Sequence, residues 1–198
     1  RSMVVHLDEI GLLGDRLSCA HSIWLDGDDI ALMSERGAIA VHNPESNLKL
    51  GSGICPVAAM LAAGMSVALG TDGASTNDNL DMHEVMRIAV MLQRPFEPDR
   101  RRWPSAADAL RMATLAGGRV MRVPGLGTLA PGAPADFTLH DLAAPAWTPL
   151  QDPVSQLVFA AGGRSVDTVI VDGRVLVASP SIPVPSWPRR VTSPACWE

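Results

Sequence analysis

Short apolar runs recur along the first third of the chain, each bounded by polar or glycine positions and each separated from the next by a stretch of helical periodicity. Val5, Leu7, Ile10 and Leu13 fall on one helical stripe, so 4–13 reads as a helix with a glycine-bounded exit. Leu17 to Ala20, Ala38 to Val41 and Met65 to Leu69 read as strands of the continuous apolar kind that is buried on both faces. Between them, Asp26 offers an N-cap for a helix over Ile30 to Arg36, which Gly37 stops. Pro56 to Ala63 forms a second helix closed by Gly64. This strand–helix–strand–helix–strand rhythm is the signature of parallel βα units.

Further along, Met82, Val85, Met86, Ala89, Val90 and Gln93 give another helix, whose methionine stripe reads as core filler. A proline- and arginine-rich loop over 95–104 leads to Ser105, which caps a helix predicted to run through Met121. After Val123-Pro124-Gly125 the character changes to short alternating strands and tight turns. The clearest is the pair Val166 to Val171 and Arg174 to Val177 around Asp172-Gly173, a type I′ hairpin signal. From Ser179 the chain carries five prolines in 20 residues without periodicity, predicting an extended or disordered tail.

The strand ends carry the candidate chemistry. His21, His42 and Asp72 each follow one of the three apolar runs, so one geometric rule brings them to the same edge of a parallel sheet, where barrel enzymes do their chemistry. A carboxylate at Asp72 has three readings: metal ligand, acid/base, or cap of the next helix. A single histidine at a strand end reads first as a hydrogen-bonded structural residue, and three polar residues converging weigh against that. His140 lies in the β region far from these positions and reads as structural.

Composition narrows the classes. The 198 residues are 47% hydrophobic and 19% charged, ordinary for a globular protein and short for a complete eight-stranded barrel of about 250 residues. A net charge of −5 and the lack of a basic cluster argue against nucleic acid as partner. No stretch approaches the roughly 20 apolar residues that span a bilayer, and no apolar leader follows Arg1-Ser2-Met3. Cys19, Cys55 and Cys196 show no C-x-x-C pairing, which fits a reduced, cytoplasmic setting. Gly125-Leu126-Gly127 is too short and too poorly placed for a nucleotide-binding fingerprint.

His21 within Cys-Ala-His-Ser-Ile-Trp-Leu, the block His42-Asn43-Pro44-Glu45-Ser46-Asn47-Leu48-Lys49-Leu50, and Gly70-Thr71-Asp72-Gly73 together resemble the amidohydrolase superfamily. The similar branch is that of the deaminases and chlorohydrolases, including methylthioadenosine/S-adenosylhomocysteine deaminases and triazine hydrolases. The resemblance implies an α/β fold: the C-terminal part of a TIM-like (β/α)8 barrel over 1–124, part of a small β-sandwich over 125–178, and the proline-rich tail over 179–198. It implies one divalent metal, zinc or iron, in the intact enzyme, with Asp72 as both ligand and proton acceptor. His21 would stabilise charge on the substrate, and His42 would contact substrate or scaffold the loop. Ser46 and Asn47 would shape that loop, Asn77 and Asp81 would brace or cap, and Asp136 would be a structural turn residue.

The departures matter equally. The family's H-x-H metal pair is not in this sequence, and the H-x-x-E formed by His6 and Glu9 lies inside a predicted helix, fifteen residues before His21, where the family does not place its own. The expectation is therefore the C-terminal half of a metal-dependent hydrolase of a small heterocycle, an aminopurine, nucleoside-like or triazine-like compound, inactive alone. The alternative is a non-catalytic half-barrel serving as an assembly or binding module. Exposed sheet edges predict a homo-oligomer or association with an amino-terminal half.

Overall fold

The computed structural model describes residues 1–178 and shows a mixed α/β chain with two separate sheets. The tail expected over 179–198 lies outside the described residues. The first sheet is parallel, with β1 (Ser18–Ala20), β2 (Ile39–His42) and β3 (Ser66–Leu69) in sequence order. Its register sets Cys19 opposite Ala40 and Ala40 opposite Val67, with His42 opposite Leu69. Because side chains alternate across a strand, Cys19, Ala40, His42, Val67 and Leu69 share one face, and Ile39, Val41 and Ala68 the other.

The first face carries the main core. It packs against α1 (Met3–Glu9), α2 (Gly27–Arg36), α4 (Val57–Ala62), α6 (Met82–Met91) and α7 (Ala106–Ala113). Met33, Val57, Met60, Val85 and Val90 are fully buried there; each contributes about 1.5–3 kcal/mol of hydrophobic stabilisation. The second face is covered mainly by α8 (Leu115–Met121), through Ala116 and Val120 against Ile39, Val41 and Ala68.

Most local signals act as read. Asp26 caps α2 through the Asp29 amide, and Gly37 ends that helix in the left-handed region at φ 75°. Ser105 and Asp108 form a reciprocal capping box on α7. The second sheet, β4 (Phe137–His140), β5 (Val166–Val171) and β6 (Arg174–Ala178), is antiparallel, and Asp172 and Gly173 both take positive φ, as a type I′ hairpin requires. Asp136 accepts a hydrogen bond from the Asp172 amide, which fastens that turn to β4.

Four expectations need correction. The first helix ends at Glu9 rather than Leu13: Gly11 turns left-handed, and the amides of Leu12 and Leu13 fold back onto the Leu7 carbonyl. The stretch 44–49, read as loop, is helix α3 (Pro44–Lys49), with Pro44 in the first turn, where proline's fixed φ suits a helix start. The helix expected through Met121 breaks at Thr114, whose backbone departs from helical geometry. Gly127 sits so close to the Thr114 carbonyl that a Cβ there would lie 2.4 Å from its oxygen. The β-rich region after 125 also contains a helix, α9 (Pro153–Phe159), capped by Asp152, whose Val158 joins the main core beside α6 and α7.

His42 is the unusual member of the core. It is 0% exposed, and among the described residues neither ring nitrogen has a hydrogen-bond partner. Burial pushes its pKa down to about 4, so the native ring is neutral. Folding lowers this pKa, so below its ordinary value of 6.5 the unfolded chain binds a proton that the native chain does not. This contribution to stability is present above that pH and is lost as pH falls toward about 4. A shift of this size corresponds to at most ~3 kcal/mol. Urea denaturation of wild type and His42→Leu across this window should show a steeper loss for wild type; parallel curves would contradict the assignment.

Adjacent glycines on α8 give a second test. A Cβ on Gly117 meets nothing within 4 Å, whereas one on Gly118 would lie 2.2 Å from the Leu126 carbonyl oxygen. Gly117→Ala should raise stability by ~0.5–1 kcal/mol through helix propensity. Gly118→Ala should lower it by ~1–3 kcal/mol through overpacking. Equal urea midpoints for the two variants would refute the packing of α8 on the Leu126 turn.

Candidate functional site

The carboxyl edge of the parallel sheet is built from two strained strand exits and one short helix. His21 and Ser22 follow β1 with φ of 65° and 48°, left-handed values uncommon for residues with a Cβ. They are held there because the His21 amide donates to the Val41 carbonyl at 2.8 Å and the Ser22 hydroxyl to the Cys19 carbonyl at 3.0 Å. Asp72, three residues past β3, takes φ 60°. Strain of this kind persists only where surrounding contacts enforce it, and it gathers at functional sites. Between the exits, Gly70 leaves room for Asn43: a Cβ on Gly70 would stand 2.3 Å from the Asn43 side-chain oxygen.

Helix α3 fills the gap between the two exits. Ser46 and Asn47 are both buried, at 0% and 1% exposure. The Ser46 hydroxyl donates to Asp72 Oδ2 at 2.6 Å. That bond, followed by the Gly73 amide, holds the Asp72 carboxyl below the usual carboxylate range against an opposing push from partial desolvation. Asn47 Oδ1 lies 2.8 Å from His21 Nδ1, and Asn43 Nδ2 lies 3.4 Å from the same nitrogen. The other ring nitrogen, Nε2, faces Asp72 Oδ2 at 3.9 Å, with both side chains partly exposed at the open carboxyl edge of the sheet, its cleft side.

The loop after Asp72 is braced from the same helix. Glu45 accepts a hydrogen bond from the Asn77 side-chain Nδ2, and burial, ahead of the nearby Glu84 charge, raises its pKa. Lys49 Nζ reaches Asp78 Oδ2 at 2.6 Å. Asp81 caps α6 through the His83 amide and also accepts from the Gly163 amide at 3.0 Å. Asn77 and Asp81 thus brace and cap. Asp72 is not the helix cap: Gly73 occupies the cap position of α5 (Ala74–Asn77).

Of the three sequence candidates, the fold brings together His21 and Asp72. His42 is one residue out of phase: its ring enters the helix-covered core, and its neighbour Asn43 takes the cleft-side position against His21. Asn43, Ser46 and Asn47 are the residues that hold the site; the resemblance implied that Ser46 and Asn47 shape the loop, while their bonds to Asp72 and His21 and the part of Asn43 come only from the fold. Among the described residues no three His, Cys, Asp or Glu side chains gather as a metal site. His21 and Asp72 supply two donors, short of the three or four protein ligands that divalent zinc requires, so these residues alone do not hold such an ion. An apolar cavity of about 410 Å3 lies over the other sheet face between Val41, Ala68 and α8, and none of His21, His42 or Asp72 lines it.

Comparison with known proteins places the chain in a family. The model of the amidohydrolase family matches residues 2–176. The chain is 45% identical over 174 residues to a 5'-deoxyadenosine deaminase of Methanothermobacter thermautotrophicus, covering 88% of this chain and 40% of that protein. It is 41% identical over 180 residues to a 5-methylthioadenosine/S-adenosylhomocysteine deaminase of Thermococcus kodakarensis, covering 89% and 41% respectively. The crystal structure of an adenosine deaminase from Xanthomonas campestris with bound zinc superposes with a TM-score of 0.85 at 39% identity, over 89% of this chain and 40% of that one. An atrazine chlorohydrolase from Arthrobacter aurescens complexed with zinc gives 0.81 at 31% identity, over 87% and 38%. The chain spans about two fifths of the length of these relatives. A family match over residues 2–176 shows that the chain belongs to the amidohydrolase family.

Proposed function

We propose that this chain is the carboxyl-terminal portion of a hydrolytic deaminase acting on a small aminopurine, nucleoside-like or triazine-like heterocycle. The observation that carries the reading is the 3.9 Å approach of His21 Nε2 to Asp72 Oδ2 at the carboxyl edge of the sheet. The names of the relatives, 5'-deoxyadenosine and 5-methylthioadenosine/S-adenosylhomocysteine deaminases, support the substrate class. Residues 1–124 would then supply the last strands and helices of a (β/α)8 barrel and 125–178 part of a β-sandwich.

In this reading the reaction adds water to the ring carbon that bears the amino group and expels ammonia. Asp72 stays ionised through the Ser46 and Gly73 hydrogen bonds, so it is ready to accept a proton from the attacking water and return it to the leaving nitrogen. His21 lies beside the attacking water and hydrogen-bonds to it through the ring nitrogen that faces Asp72. Buried, neutral His42 supports the strand end from the core side rather than through a free polar edge. A zinc or iron ion belongs to the whole enzyme, with Asp72 its single ligand from this chain and the remaining ligands outside it. The oligomer, or the pairing with an amino-terminal portion, completes the sheet beyond β1 and β3. The acidic net charge disfavours nucleic acid. No helix among the described residues is long and apolar enough to cross a membrane. The buried free thiol of Cys55 is consistent with the proposed cytoplasmic setting.

The second reading, a non-catalytic assembly or binding module, draws on the two-donor site. Size-exclusion chromatography with light scattering and metal analysis separates the two, followed by ammonia release from 5'-deoxyadenosine and 5'-methylthioadenosine. The 198-residue chain alone should carry no stoichiometric zinc and show no turnover; finding both would overturn the proposal of an incomplete site. Co-produced with the amino-terminal portion of the Methanothermobacter relative, it should gain metal and activity. In that assembly Asp72→Asn should lose about 10²–10⁴-fold in rate. Ser46→Ala, which removes one charge-assisted hydrogen bond, should lose roughly 10–100-fold. An assembled, metal-loaded complex without turnover would favour the binding module.

A further inference from the structure

We propose that Asn47 is a positioning residue that fixes His21 as the Nδ1–H tautomer and so leaves the Nε2 lone pair on the cleft side, facing Asp72. Neutral imidazole carries one proton on two nitrogens, and the partner of one nitrogen decides the chemistry of the other. Asn47 Oδ1 is an acceptor only, and at 2.8 Å from His21 Nδ1 it calls for a proton there. Asn47 is 1% exposed and its backbone is fixed, its N–H donating to the Asn43 carbonyl at 3.0 Å and its carbonyl accepting from the Ser52 N–H at 2.9 Å. Its side-chain Nδ2 is buried without a partner among the described residues, so the contact of Oδ1 with His21 is what orients the side-chain amide. The His21 backbone is equally fixed, at φ 65° with its amide on Val41.

Two neighbours make opposite demands on this ring. Asn43 Nδ2, at 3.4 Å, satisfies Nδ1 only if that nitrogen presents a lone pair. Asp72 Oδ2, at 3.9 Å from Nε2, lies beyond hydrogen-bond range but favours a proton on the cleft side. The Asn47 contact is the shortest of the three and comes from the most enclosed side chain, so it sets the proton. A group entering the gap between Nε2 and Asp72 would therefore meet two acceptors, which suits a water molecule or an amino group with two hydrogens to give. This inference deepens the proposed function, in which His21 works at the reacting centre, but the tautomer belongs to the chain itself and is read without turnover.

The test is long-range 1H–15N correlation of the imidazole nitrogens in the 15N-labelled 198-residue chain, at a pH where the ring is neutral, with His21 assigned through His21→Gln. Wild type should show a protonated Nδ1 and an unprotonated Nε2. Asn47→Asp keeps the acceptor and should keep that pattern; Asn47→Leu removes it and should move the proton to Nε2. A wild-type ring protonated at Nε2 would mean that Asn43 and Asp72 govern it, and would overturn the inference. So would a folded Asn47→Leu chain with Nδ1 still protonated. Should Asn47→Leu fail to fold, an Nε2–H ring in wild type or in Asn47→Asp would still be decisive. An Nδ1–H ring in a chain whose assembled form releases no ammonia would uphold the tautomer and reject the deaminase reading.

Discussion

Two consecutive side chains on a helix of six residues hold the chemistry of this protein in place. Ser46 donates to Asp72 and Asn47 meets His21, so residues from the two outer strands of the sheet are set against each other by a helix that follows the middle strand. The arrangement depends on the parallel order β1-β2-β3: any other order would put α3 beside one exit and out of reach of the other. It also depends on burial. In water, hydrogen bonds to a hydroxyl and an amide would compete with solvent and fix little; at 0% and 1% exposure Ser46 and Asn47 have few other partners.

The two-residue period of a strand decides what each neighbouring side chain does. His42 and Asn43 sit side by side in sequence, yet one is sealed among core side chains and the other reaches the ring of His21. A one-residue slip of β2 would exchange them and turn Ala40 away from Cys19 and Val67. The core side therefore enforces the cleft side, since methionine and valine packing around α2, α4 and α6 fixes the register that aims Asn43.

Helix α6 ties the antiparallel region to this sheet. Arg87 donates to the carbonyls of Val158 and Ala161 at the end of α9, at 3.2 and 2.6 Å. Asp81, at the start of the same helix, holds the Gly163 amide, and the His83 ring meets His140 of β4 edge-on, with centroids 5.3 Å apart. His140 in turn contacts Ser165 and packs against Trp147. Its structural reading holds, with its pKa lowered by burial and then by the neighbouring His83. The loop carrying Asp72 runs through α5 into α6, so the second sheet steadies the helix that anchors the site loop.

Much of this was legible in the chain itself. Apolar runs, glycine stops and Ser or Asp caps are local signals, and they placed the three parallel strands, α2, α7 and the Asp172-Gly173 hairpin, because short-range backbone physics governs those features. The same rule placed His21 and Asp72 at one edge. Two short helices were not legible: α3 carries no apolar stripe like that of α1, and α9 lies in a stretch of strand and turn signals; the helical state of both comes from packing on neighbours. Nor could the sequence say that His42 turns inward while Asn43, Ser46 and Asn47 grip the site. That choice belongs to the tertiary structure, since it depends on register across three strands and on a close approach at Gly70 that only the folded chain creates.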